Sequence, residues 1–184
     1  MCNAYLRGRH PTRTPDFGFS ESLSHQGAQT PLDLSIEVTD SEIDSNDPAR
    51  IEFIFQNKSE GWISVGTAPP PPFGVLRVQD VSDGMSLVLW TGRYKKVEGI
   101  TAENKWAKDV ANDVGTSLIL DPGDTQTLGY TLHTATRNLT AGIYRTLLVD
   151  EQIRVREQQD GEGEEDYTTY GNPKFRLTLE VSQQ

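Results

Sequence analysis

Four side chains in this sequence could carry nucleophilic or metal chemistry of the common kinds: Cys2, His10, His25 and His133. The first three fall within residues 1–30, so the rest of the chain holds a single histidine. Hydrolysis of the Ser-His-Asp type needs an imidazole held between a nucleophile and an orienting carboxylate. A zinc or iron centre needs several imidazoles or thiolates that converge. His133 cannot form a cluster, and it sits on the polar side of an alternating segment, where an exposed strand histidine is expected. A Cys2–His133 pair would tie a reaction to a segment with no structural period. No catalytic residue, cofactor or metal ligand is assigned, and the chain is read as non-enzymatic.

Other motifs are weighed in the same way. Asp160-Gly-Glu-Gly-Glu-Glu-Asp166 gathers carboxylates that calcium could use, but its spacing is not that of an EF-hand. A solvated acidic loop is the better reading. The run Pro69, Pro70, Pro71, Pro72 and Phe73 can form a polyproline II stretch able to dock into an aromatic groove, or a stiff connection between two strands. It is the expected binding loop if the chain has one. Asn57-Lys58-Ser59 and Asn138-Leu139-Thr140 are glycosylation sequons. Cys2, followed by a polar linker, could take a lipid anchor only if a signal precedes it. Trp62 and Trp90 are read as packing residues, with Trp90 the central core tryptophan.

The elements that must carry these residues are strands. Leu32, Leu34, Ile36 and Val38 alternate with polar residues, as do Ile51, Phe53 and Phe55. So do Leu128, Tyr130 and Leu132, and Phe175, Leu177, Leu179 and Val181. A period of two puts one set of side chains in a core and the other in water. Asp83-Gly84, Asp121-Pro-Gly-Asp124 and Gly171-Asn-Pro173 supply turns between them. One segment breaks the pattern: Ala102, Trp106 and Val110 recur every four residues, which predicts a short helix over 101–112 with Thr101 as its cap and Trp106 as its anchor. Residues 1–30 show no clear period and are expected to be a flexible tail or linker ahead of one domain at 31–184. They lack the apolar core of a signal peptide, so the chain as written is expected to be cytoplasmic, and cell-surface or secreted if its start is truncated.

The 184 residues carry a net charge of −10, with 27 acids against 17 Lys and Arg. Such a surface repels phosphate backbones, so no nucleic-acid partner is expected. The acidity fits either a protein from a salt-rich medium or an ordinary soluble acidic domain. No apolar run approaches the length of a membrane-spanning helix.

Four pieces in order, Ile51–Ser59, Phe73–Asp80 with Asp83-Gly84 and Leu87–Tyr94, Leu120–Leu132, and Leu139–Tyr144, carry a resemblance. The order resembles the immunoglobulin-like domain of the BsuPI-type intracellular proteinase inhibitors. The resemblance implies an immunoglobulin-like Greek-key β-sandwich. It also implies a Gly142/Tyr144 corner, in which the tyrosine hydroxyl bonds back to the preceding loop. The functional expectation is a non-enzymatic binding or interaction module with a protein partner, able to be surface-associated. Proteinase inhibition, with a protease as the partner, is the alternative that the resemblance implies.

Overall fold

The computed structural model describes residues 17–26, 30–43, 47–103, 106–109, 115–134, 136, 139–146, 153–158, 167–170 and 174–183. In chain order its strands begin with β1 (Phe17–Gln26), β2 (Leu32–Asp40), β3 (Glu42–Ile43), β4 (Ala49–Asn57) and β5 (Ile63–Thr67). They continue with β6 (Arg77–Asp80), β7 (Ser86–Val88), β8 (Ile100–Glu103), β9 (Trp106–Asp109) and β10 (Thr116–Leu120). The last are β11 (Thr125–Leu132), β12 (Gly142–Thr146), β13 (Arg154–Gln158), β14 (Tyr167–Tyr170) and β15 (Lys174–Gln183). One 3-10 turn, Gly92–Lys96, interrupts them.

The protein is an all-β sandwich. One sheet has the order β3-β1-β15-β12-β6-β7, a second β11-β4-β2, and a third β10-β5-β13-β14, while β8 and β9 form a separate hairpin. All described pairings are antiparallel. A Trp90–Thr131 bridge ties the β7 end of the first sheet to β11 of the second. The inward residues of the strands join one apolar core, from Leu34 and Phe53 through Val65 and Leu118 to Leu179.

Two expectations are corrected here. Residues 17–26 are not a tail: β1 pairs with β15 along ten positions, from Phe17↔Gln183 to Gln26↔Lys174, and with β3 at Phe17 and Gly18. The first sheet would otherwise leave a long edge of β15 open, and β1 covers it. Residues 101–103 and 106–109, the described part of 101–112, do not form the helix that the spacing of four suggests. Ile100–Glu103 and Trp106–Asp109 pair as a hairpin in the register Ala102↔Ala107 and Glu103↔Trp106. A helix of this length is marginal without tertiary support. The hairpin gains that support at Ala107, which is fully buried and whose carbonyl accepts from the Arg77 guanidinium at 3.3 Å.

The helical turn lies earlier, at 92–96. Thr91 Oγ1 accepts from the Arg93 amide at 3.4 Å and caps it. Tyr94 fixes its position: the buried hydroxyl donates to Leu89 O at 2.7 Å and accepts from the Leu76 amide at 3.2 Å. Burial pushes the Tyr94 hydroxyl well above the usual tyrosine range. Tyr130 does the same for the preceding loop, donating to Gly74 O at 3.0 Å, and burial likewise raises its hydroxyl.

The third sheet grows out of the second. The β4–β11 pairing ends at Gln56↔Thr125, and the β5–β10 pairing starts at Ile63↔Leu120. Both chains turn between these points, and Asn57 pins the corner. Its Nδ2 donates to Gly61 O at 2.8 Å and to Leu120 O at 3.0 Å. Its Oδ1 accepts from the Ser59 amide at 2.9 Å and the Ser59 hydroxyl at 2.8 Å. An amide side chain offers two donors and two acceptor sites, and here all four are used. The turn opposite is completed by Gly123, at φ 78°, whose amide donates to Asn57 O at 3.2 Å.

Candidate binding face

The third sheet presents an outer face built from alternate residues of its strands. On β5, Ile63, Val65 and Thr67 are buried, so Ser64 and Gly66 face outward. On β13, Val155 is buried while Arg154 and Arg156 are exposed. On β10, Leu118 and Leu120 are buried, leaving Ser117 and Ile119 outside. Ile119 is 58% exposed, a high value for an isoleucine on a strand. The register sets these residues in rows: Ile119, Ser64, Arg156 and Thr169 lie across the four strands, and Ser117, Gly66 and Arg154 lie across three. The small residues of β5 therefore form a floor between a ridge at Ile119 and a ridge at the two arginines.

The floor is open by composition. A Cβ placed on Gly66 would stand 3.5 Å from the Arg154 Cβ, an ordinary contact, so packing does not require glycine there. One end of the face is closed by Trp62, half-buried, and Tyr167, whose rings meet edge to face with centroids 5.5 Å apart. The Gln158 amide donates to Trp62 O at 3.2 Å and carries the ladder to that end.

The described outward positions of these strands hold arginine and no acid. Neither Arg154 nor Arg156 has a carboxylate in ion-pair reach among the described residues, and no described acid shares their side of the sheet. The outer face of β2-β4-β11 differs, with Asp33 and Glu37 exposed and Lys58 3.8 Å from Asp33. Inside β13 and β14, Tyr170 donates to Glu157, and that carboxylate raises the phenol above its usual range.

The residues singled out from sequence fall elsewhere. Pro70, Pro72 and Phe73 are buried, so 69–73 is the stiff connection between β5 and β6, and the alternative of a binding loop loses support. Phe73 packs edge to face on Phe53 with centroids 4.7 Å apart, and its amide donates to the Tyr130 hydroxyl at 3.4 Å. The run is a turn closed by the Gly74 amide on Pro70 O at 2.9 Å. Pro69 and Pro71 are half-buried beside it, and an aromatic core residue at its end draws the run inward. Asn57 is 1% exposed with every polar atom bonded, so a glycan there is incompatible with the fold, and the sequon serine is its partner. Asn138, Cys2, His10 and the acidic run 160–166 lie outside the described residues.

Tyr144 is buried, and its hydroxyl donates to Thr140 O at 2.9 Å with Thr140 Oγ1 at the same distance. A Cβ on Gly142 would collide with Asp80 Oδ2, so glycine is needed there. The hydroxyl and amide of Ser82 bind that carboxylate and hold it below the usual range. His133 lies just past the end of β11, with Thr131 Oγ1 2.9 Å from its Nε2. Trp90 is buried against Tyr94, with centroids 5.7 Å apart.

The fold is an all-β sandwich, and among the described residues the outer face of its third sheet carries arginine and aromatic side chains. The chain matches DUF8130, a domain of unknown function, over residues 17–184, and belongs to that family. The match begins where β1 begins. No curated protein and no solved structure matches the chain. Among the described residues no group of three or more His, Cys, Asp or Glu is gathered as for a metal ion. No described helix is long and apolar enough to cross a membrane.

Proposed function

We propose that this protein is a non-enzymatic binding module whose contact surface is the outer face of β10-β5-β13-β14. The observation that carries the reading is the pair Arg154 and Arg156, exposed and, among the described residues, without a carboxylate in ion-pair reach. Arginine keeps its charge and is weakly hydrated, which suits it to contacts that are made on binding. Trp62, Tyr167 and Ile119 add apolar area beside it, and interfaces are enriched in aromatic residues and arginine. A protease-inhibitor role finds less support. Tight inhibitors present a rigid exposed loop, and the stiff loop of this chain is turned into the core at Phe73.

The test is a photoreactive phenylalanine analogue placed at Ser117 on this face, and separately at Thr127 on the outer face of β11, in the native cell. A single recurrent adduct from position 117 that is absent from position 127 supports the reading. Equal labelling from both positions refutes it.

A further inference from the structure

Resting on that reading, we infer that the face takes an extended acidic peptide with carboxylates at alternate positions. Three features of the surface point to this ligand. The first is spacing. Arg154 and Arg156 are two residues apart on one strand, so they repeat at about 6.6 Å, the same interval as alternate residues of an extended peptide. A peptide running along β13 keeps its carboxylates in step with both guanidiniums.

The second feature is width. Ile119 and Arg156 stand on strands either side of β5, in register with Ser64. Two strand spacings come to about 9.6 Å, room for one extended backbone between the ridges. The floor beneath it is Ser64 and Gly66, with no large side chain to lift it off the sheet. A peptide seated edge-on sends alternate side chains to opposite ridges, carboxylates to the arginines and apolar groups to Ile119.

The third feature is charge. Among the described residues, the outward positions of β5, β10, β13 and β14 hold Arg154 and Arg156 and no acid, so an anionic segment is favoured over a cationic one here.

The experiment measures fluorescence anisotropy of a labelled peptide of alternating glutamate and valine. A control peptide has the same composition with its glutamates in one block. The alternating peptide should bind more tightly than the block and weaken with added salt. Its affinity should fall about tenfold in Arg154→Gln/Arg156→Gln, as expected for two exposed ion pairs. Gly66→Val, which raises the floor, should weaken it at any salt concentration. Should that variant not fold, the arginine variant decides alone, since both positions are exposed.

Equal binding of the two peptides overturns the spacing inference. Binding of dextran sulfate or phosphatidylglycerol vesicles through the same arginines, with neither peptide bound, also overturns it and leaves the binding-face reading standing. Loss of neither peptide nor polyanion binding in the arginine and Gly66 variants overturns both.

Discussion

Asn57→Ala is the substitution that most directly tests how the third sheet is held. The side chain bonds to four partners at 2.8–3.0 Å and is 1% exposed. Three of those bonds are part-buried, and water can replace the lost group there at about 0.5 kcal/mol each. The bond to Leu120 O is buried, and an orphaned carbonyl there costs about 2 kcal/mol. The expected loss is about 3–4 kcal/mol, a large part of the roughly 5–15 kcal/mol that holds a domain together. Asn57→Asp keeps the shape but turns a carboxylate oxygen toward two carbonyl oxygens, and should cost at least as much. Ser59→Ala removes only the hydroxyl and should cost about 1 kcal/mol. Equilibrium urea unfolding gives these values, provided that the slope against denaturant stays unchanged. A loss below about 1 kcal/mol for Asn57→Ala would refute the corner-pin argument.

Three further outcomes follow from the packing. Removing residues 17–26 strips β1 from β15 and should lower Tm by more than about 5 °C in calorimetry; an unchanged Tm would return the segment to the status of a tail. Tyr144→Phe deletes the bonds to Thr140 and should cost about 1 kcal/mol in the same urea assay, with unchanged far-ultraviolet dichroism. Gly142→Ala should cost about 1–3 kcal/mol through its clash with Asp80, and adding Asp80→Ala should recover part of that loss; additive losses would show that the two do not touch.

Much of the sandwich was legible because alternation is local. The runs at 32–38, 51–55, 128–132 and 175–181 became β2, β4, β11 and β15, and the Asp121–Asp124 turn sits where its residues place it. β1 was missed although Phe17, Phe19 and Leu23 recur at even spacing, because Glu21 and His25 fall in the same phase and break the alternation. The hairpin at 100–109 was missed because the spacing of Ala102 and Trp106 matches one face of a helix, whereas the chain pairs Glu103 with Trp106 and so places Ala102 and Trp106 on different strands. The candidate face was hidden for a different reason. Arg154-Val-Arg156 and Ile63-Ser-Val-Gly-Thr67 each alternate plainly, but nothing local says that β13 pairs with β5. The proline run was legible as a stiff connection between two strands, but its composition says nothing of Phe73 turning inward onto Phe53.

The most direct test of the account is amide chemical-shift mapping of the full chain titrated with the alternating glutamate–valine peptide. The account predicts shifts confined to residues 62–66, 117–119, 154–158 and 167–169, lost in Arg154→Gln/Arg156→Gln. Shifts centred instead on β2, β4 and β11, or on the exposed apolar group Val81, Met85 and Ile143, would contradict it.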